Sequence, residues 1–242
     1  MIINAICKTI NRQDLLQELE KGGENIPKLA SKAIFKMYKS ADEELIEQCA
    51  KLSNDYASST SVTALFVGNY IVISHLGDSR ASICYSNRGK MVAKFLTVDH
   101  KPNNPEERQR ILASGGTVEF LCNHSNNPFI RGGDFAARKA RGDQPMQLQY
   151  SRAFGGKDLK MYGLSNVPEI FIFERKAHHK CLILASDGLW DVKDSHEAFS
   201  TLFYARDMGE NPTQYLIESV IADQKSRARN SDNITVLAIF LD

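Results

Sequence analysis

Apolar residues recur at two different spacings along the chain, and the change between them marks its organisation. Over 25–52 they fall at Leu29, Ala33, Met37, Ala41, Leu45, Cys49 and Leu52, steps of four and three that line one stripe of a long helix. Asn25, two residues before Pro27, fits the cap of that helix, and a shorter helix ending near Gly22 and Gly23 is expected before it. The pattern then shortens into β-rich runs at 62–67, 70–76, 81–85 and 91–96. Gly68-Asn69, Gly77-Asp78 and Asn87-Arg88-Gly89 break these runs as hairpin turns do, so the strands should be antiparallel. Asn104 and Pro105 start a helix through Leu112 that Gly115-Gly116 stops. Strands are expected at 170–174 and 181–185, on either side of a His178-His179 turn. Two amphipathic helices should begin near Ser195 and at Asn211-Pro212, and a buried strand over 234–241 closes the chain.

Between 121 and 150 no period survives, and Gly, Asn, Pro, Arg and Lys dominate, as in RGGDFAARKARGDQP. This predicts a long surface loop or flap, a length that in compact domains is usually functional. Helices at both ends enclose hairpin strands instead of alternating with parallel ones, so the expected class is an α+β sandwich and not a doubly wound sheet. No repeat, low-complexity tract or composition shift marks a linker, and the expectation is one domain over residues 1–242.

Charge narrows the partners. Thirty Lys plus Arg against 29 Asp plus Glu leave a net charge of +1, too balanced for the broad positive field that nucleic acid or an anionic membrane requires. No run approaches the ~18 apolar residues of a spanning helix, and MIINAICKTINRQ lacks the basic and apolar regions of a signal peptide. Neither nucleic acid nor membrane is expected as a partner, and the location should be intracellular, cytoplasmic or nuclear. The five cysteines have no CxxC spacing, so reduced, mostly buried thiols are expected.

The candidate chemistry lies in aspartates at strand ends. Asp187 follows CLILAS and precedes Gly188; Asp232 and Asn233 stand directly before ITVLAIFL. Short carboxylates at strand mouths can converge, and several cannot stay ionised together without a cation. Hard oxygen donors without nearby Cys or His favour Mg²⁺ or Mn²⁺ over zinc. Each dipeptide alone is equally a turn former, as is Gly77-Asp78, and Asp191 alone reads as a helix-start residue. There is no GxSxG elbow, no GxxxxGK[ST] phosphate loop and no HExxH helix.

Five strings in order change the weight of these aspartates: LGDSRA from Leu76, LTVDHKP from Leu96, SRAFGG from Ser151, LASDGLWDV from Leu184 and SDNITV from Ser231. Together they resemble the PP2C, or PPM, family of metal-dependent protein serine/threonine phosphatases over 58–242, roughly three quarters of the chain. The resemblance implies a PP2C-like α-β-β-α sandwich of two antiparallel sheets flanked by helices. It implies dephosphorylation of phosphoserine and phosphothreonine proteins by a water bridged between two Mg²⁺ or Mn²⁺ ions, with a third, weaker ion, in a monomer. Carried over by position, Asp187 and Asp232 resemble ligands of the ion pair, and Asp78 and Asp191 resemble ligands, with Asp187, of the third. Arg131, Arg138, Lys139 and Arg141 fall where the family has a flap beside its cleft, and there would guide phosphopeptides; as residues alone they are a solvated basic loop.

Two departures stand out. The family's Arg and acidic pair and its DGHGG string are not in this sequence. The catalytic arginine and histidine of the family therefore have no counterpart, the fold is expected to be N-terminally truncated, and little turnover is expected of the chain by itself. The alternative is a pseudophosphatase that binds phosphoproteins or regulates without catalysis. Gly156 also replaces the aspartate that ends the family's SRAFGD, while Asp158 matches a second acidic position. Of the histidines, His75 reads as a core or edge residue and His100 as support for a loop.

Overall fold

The structure, a computed structural model, describes residues 26–120, 127–226 and 232–241. The chain forms two compact units. Among the described residues, one comprises 26–61, 74–78 and 99–170; the other comprises 62–73, 79–98 and 171–241.

In the first unit the long helix α1 (Ile26–Lys51) forms where periodicity placed it, but its buried face differs from the expected stripe. Ala30, Ile34, Met37, Tyr38, Ala41, Asp42 and Cys49 are buried, while Leu52 is 77% exposed. At 100° per residue neighbouring stripes overlap, and the polar members Tyr38 and Asp42 set the true face. The Tyr38 hydroxyl accepts from Ser74 Oγ at 3.1 Å, and its ring lies 5.0 Å from that of Phe154. After the short strand β1 (Ser58–Ser59) this unit continues with α2 (Pro105–Ala113) and β6 (Gly116–Phe120). The expected cap Asn25, the preceding short helix, Cys7 and Cys122 lie outside the described residues.

The segment expected to be an irregular flap carries regular structure. It holds β7 (Pro128–Gly132), a helix α3 (Phe135–Ala140) capped by Asp134, and β8 (Gln147–Leu148). β7 pairs antiparallel with both β6 and β8, and Ile130, Met146 and Leu148 join Ile111, Leu159 and Leu164 in a common apolar core. Elements this short are below the length at which a hydrophobic period can be read. β9 (Phe154–Gly155) and the turn of helix α4 (Lys157–Lys160) follow, joined at Gly156, whose φ of 63° and ψ of 44° are left-handed. A Cβ there would stand 2.5 Å from Leu164 Cδ2, and the left-handed backbone favours the glycine that replaces the aspartate.

The second unit is built on hairpins. β2 (Ser61–Val67), β3 (Tyr70–Leu76) and β10 (Glu169–Glu174) form a sheet in the order β10-β3-β2. β4 (Arg80–Asn87), β5 (Lys90–Phe95), β11 (His179–Ala185) and β12 (Val236–Phe240) form another in the order β12-β11-β4-β5, antiparallel throughout. Ile71, Ile73 and Val62 from the first sheet meet Ile83, Leu182, Leu184 and Ile239 from the second in an apolar layer. The opposite face of the second sheet, through Cys181, Ile183 and Ala185, packs on α5 (Asp187–Trp190), α6 (Ser195–Asp207) and α7 (Pro212–Ser226). The α+β architecture of antiparallel sheets and helices expected from the hairpins is the one observed. Cys49, Cys84 and Cys181 are buried thiols, none of them in a disulfide, and burial pushes the Cys84 thiol up to about 11. Among the described residues no helix is long and apolar enough to cross a membrane.

Candidate functional site

Asp187 is the first residue of α5, immediately after β11, and Asp232 lies four residues before β12, the strand that pairs with β11. Three contacts stitch the two strand mouths together. The Ser186 amide donates to the Thr235 carbonyl at 3.1 Å, the Thr235 amide donates to Ser186 Oγ at 3.1 Å, and Ser186 Oγ donates to the Asn233 carbonyl at 3.3 Å. Gly188 is pressed against the same turn, with its missing Cβ position 3.0 Å from the Asn233 carbonyl carbon. Trp190 anchors α5 beneath them: its Nε1 donates to the carbonyls of Arg80 and Ala185 at 3.2 and 3.1 Å, and its ring meets Phe95 edge-on at 5.0 Å. Asp187 is partly buried and Asp232 is exposed, with its Oδ1 turned back to accept from the Asn233 amide at 2.7 Å. Asp191 is an exposed residue at the end of α5, its amide donating to the Asp187 carbonyl at 2.8 Å.

Asp78 belongs to the first unit and is 6% exposed. Its Oδ2 accepts from Lys101 Nζ at 2.5 Å. The turn that carries it is clamped by His100, whose amide donates to the Gly77 carbonyl at 2.9 Å while the Gly77 amide donates to His100 Nδ1 at 3.0 Å. The Ser151 amide and hydroxyl both donate to the His100 carbonyl, at 2.8 and 3.0 Å. The strings LGDSRA, LTVDHKP and SRAFGG are thus physically joined around one histidine, as its reading as loop support requires.

A buried carboxylate that the sequence reading passed over completes this junction. Glu107 accepts from Arg110, from Arg152 and, at 2.5 Å, from Ser151 Oγ. Burial alone would raise the Glu107 carboxyl, but these donors outweigh it and hold the group well below the usual carboxylate range. Asp42 plays the same part elsewhere in the unit, accepting from the Gly155 amide at 2.7 Å, from Lys160 Nζ at 3.0 Å and from Asn166 Nδ2 at 2.7 Å. Burial lowers the Lys160 ammonium, and Asp42 opposes that shift. No period or turn signal marks either residue: Arg110 three residues on reads as an ordinary helix-surface pair for Glu107, and the remaining donors to both carboxylates are distant in sequence.

His75, His100 and Glu169 bring three potential ligand atoms within 4.8 Å of one another. The two rings stack at 4.4 Å, and His100 Nε2 is buried without a hydrogen bond, 3.4 Å from Glu169 Oε2. Because Nδ1 accepts the Gly77 amide, the ring proton resides on Nε2, which leaves no lone pair there for a metal. Burial, then the neighbouring His75 and Arg152, lower His100 to about 3, so this ring is neutral. The trio is a polar contact between a histidine pair and a carboxylate, and it does not fit a metal.

The donor set at the β11 and β12 mouths fits better: carboxylates with no sulfur or imidazole, on a backbone fixed by close contact, suit a hard divalent cation. The basic residues of the 121–150 segment divide into two kinds. Arg131 is bound to Gln147 Oε1 at 2.7 and 2.9 Å, to Glu119, and lies over the Phe135 ring at 4.1 Å. Arg138 is paired with Asp158 at 2.6 Å. Lys139 is exposed, and exposed Arg141 makes a long 3.9 Å approach to Asp143. Asp158 also accepts the Met146 amide at 2.9 Å, so its acidic group ties the segment to α4.

Residues 3–234 match the family described as Protein phosphatase 2C. The chain is 31% identical over 251 residues to "Probable protein phosphatase 2C 73" of Arabidopsis thaliana, covering 100% of this chain and 65% of that protein. It is 36% identical over 209 residues to "Probable protein phosphatase 2C 45" of Oryza sativa subsp. japonica, covering 86% of this chain and 62% of that one. It spans less than two thirds of the length of each of these relatives. Among solved structures it is similar to the serine-threonine phosphatase 2C of Toxoplasma gondii, with a TM-score of 0.93 and 47% identity over 98% of this chain and 78% of that one.

Proposed function

The chain belongs to the protein phosphatase 2C family, and from that membership we propose that it serves metal-dependent dephosphorylation of phosphoserine and phosphothreonine proteins. The observation that carries the reading is the stitching of the Asp187 and Asp232 backbones through Ser186, Gly188 and Asn233. In this reading Asp187 and Asp232 hold a pair of Mg²⁺ or Mn²⁺ ions, and Asp78 and Asp191 are further cation ligands. Such ions, when bound, lower the pKa of a water and neutralise charge on phosphate oxygens. Asp187 and Asp232 contribute fixed negative charge, which draws a divalent cation to the strand mouths. Ser186 ties the two carboxylate-bearing turns together and Trp190 holds α5 on its sheet, because a site loosened by an ångström loses most of its positioning. Lys139 and Arg141, the less encumbered cations of the 121–150 segment, supply attraction for a phosphorylated peptide. The protein acts as a monomer inside the cell in this reading.

A second reading, phosphoprotein binding without turnover, is favoured by one sequence fact: the chain holds no Asp-Gly-His-Gly-Gly string. The two readings separate in a single series. Mn²⁺ binding followed by calorimetry should be lost in Asp187→Ala and in Asp232→Ala and retained in Asp158→Ala. Hydrolysis of a phosphothreonine peptide in millimolar Mn²⁺ that is abolished by chelation and by Asp187→Ala establishes the enzyme. Asp187-dependent binding with no hydrolysis above the Asp187→Ala background establishes the binding module, and equal Mn²⁺ binding in all three variants overturns the assignment of the site.

A further inference from the structure

We propose that Lys101 is a built-in competitor for the cation at Asp78: its ammonium occupies the carboxylate when no metal is there and must leave for a metal to bind. The proposal rests on the reading of Asp78 as a cation ligand. Three observations support it within one unit of the fold.

Asp78 is 6% exposed and its Oδ2 lies 2.5 Å from Lys101 Nζ, so the carboxylate already holds a positive charge at contact distance. A hard divalent cation is the other positive species to which a buried aspartate oxygen is suited.

The lysine is delivered by structure and not by chance. His100, directly before it, is locked to Gly77 in both directions, at 2.9 and 3.0 Å, and Gly77 directly precedes Asp78. Asn104 Nδ2 donates to the Asp99 carbonyl at 2.7 Å, fixing the other side of the turn. The two backbones therefore hold lysine and aspartate opposite each other whether or not the side chains touch.

The head group can nevertheless leave. The Lys101 side chain is 26% exposed against 8% for Asp78, and a lysine is a point charge on a flexible four-carbon stem. Rotation about that stem moves the ammonium into water without disturbing the His100 clamp. An aspartate paired in this way is available to a metal only for the fraction of time that the lysine is away, and its apparent affinity falls by that fraction. The pair thereby sets a threshold concentration for the ion and keeps a buried carboxylate compensated below it.

The experiment measures Mn²⁺ binding, by the paramagnetic resonance signal of the free ion, for the wild type, Lys101→Met, Asp78→Asn and the double variant. Methionine keeps the stem and removes the charge. The expected result is an Asp78-dependent class of weak sites in the wild type that tightens about tenfold in Lys101→Met, the size that losing one charge-assisted pair gives. Neither variant carrying Asp78→Asn should show that class. In thermal melts Lys101→Met should be destabilised without Mn²⁺ and regain stability with it, a rescue that a purely structural salt bridge would not give. Should Lys101→Met fail to fold, Lys101→Gln keeps an uncharged donor to Asp78 and is measured in its place. Asp78-dependent binding that Lys101→Met leaves unchanged overturns the competition and leaves the cation reading standing. A gain that persists in the double variant also overturns it, since the effect then comes from the general field. Mn²⁺ binding in which no class depends on Asp78 overturns the cation reading and the competition with it.

Discussion

Gly188 sits against Asn233 so closely that a Cβ at position 188 would clash with the Asn233 carbonyl oxygen and lie 3.0 Å from its carbon. The turn opening α5 and the turn leading to β12 therefore share one wall, and Asp187 and Asp232 stand on either side of it. Gly188→Ala is expected to cost roughly 1–3 kcal/mol by overpacking, read as a lower urea midpoint, and to weaken Mn²⁺ binding in calorimetry even though no ligand is removed. An alanine variant that binds Mn²⁺ as the wild type does would mean that the two turns do not set the site.

His100 makes stability depend on pH. In the folded chain burial holds it to about 3, while in the unfolded chain it titrates near the ordinary 6.5. Between those values the unfolded chain binds a proton that the folded one refuses, so stability falls as pH drops through that window, by at most about 1.4 kcal/mol per pH unit. Glu107 has the usual depressed carboxylate value, and its contribution is lost only as pH falls below about 4.5. Urea midpoints at pH 7.0, 6.0 and 5.0 therefore leave the carboxylate aside. Burial also lowers His179, which contributes in the same direction, so it is the difference between the wild type and a His100 variant that isolates His100. The wild type should weaken across this range and His100→Asn should weaken much less; identical slopes would show that the ring titrates normally.

The hairpins were legible because turn residues and β-rich runs report local geometry, and β2 to β5 and β10 to β12 lie close to where those signals fall. The buried face of α1 was misread by a residue because Tyr38 and Asp42, which are polar, belong to it. The order in the 121–150 segment was invisible because a two-residue strand such as β8 is defined by its partner β7 and not by its own composition. At the candidate site, Asp187 and Asp232 stood out through the strings that carry them. Glu107 and Asp42 did not, since Ser151 is 44 residues from the first and Gly155 is 113 from the second. Glu107 does have Arg110 three residues on, but such a pair on a helix looks like any exposed ion pair, and the donors that distinguish these two carboxylates come from too far to leave a pattern in their neighbourhood.

The four basic residues of the 121–150 segment should separate into two classes when mutated. Arg138 and Asp158 are each only 19% exposed at the side chain, and their 2.6 Å pair joins the segment to α4. Removing one partner of a partly buried pair leaves the other charge uncompensated, so Arg138→Ala should cost stability, roughly 1–3 kcal/mol, and Arg131→Ala should do the same through Glu119, Gln147 and Phe135. Lys139 and Arg141 are exposed and hold no close ion pair among the described residues, so Lys139→Ala with Arg141→Ala should leave the urea midpoint within about 0.5 kcal/mol of the wild type. Their loss should instead weaken the capture of a phosphothreonine peptide several-fold at low ionic strength. Because such surface attraction is screened over about 8 Å at physiological salt, that difference should shrink as salt is raised. Peptide binding by fluorescence anisotropy, at low and high salt beside urea melts, reads both quantities on the same samples. If the double variant loses stability and keeps full salt-dependent binding, the segment's exposed cations belong to its fold and have no part in attracting a phosphopeptide.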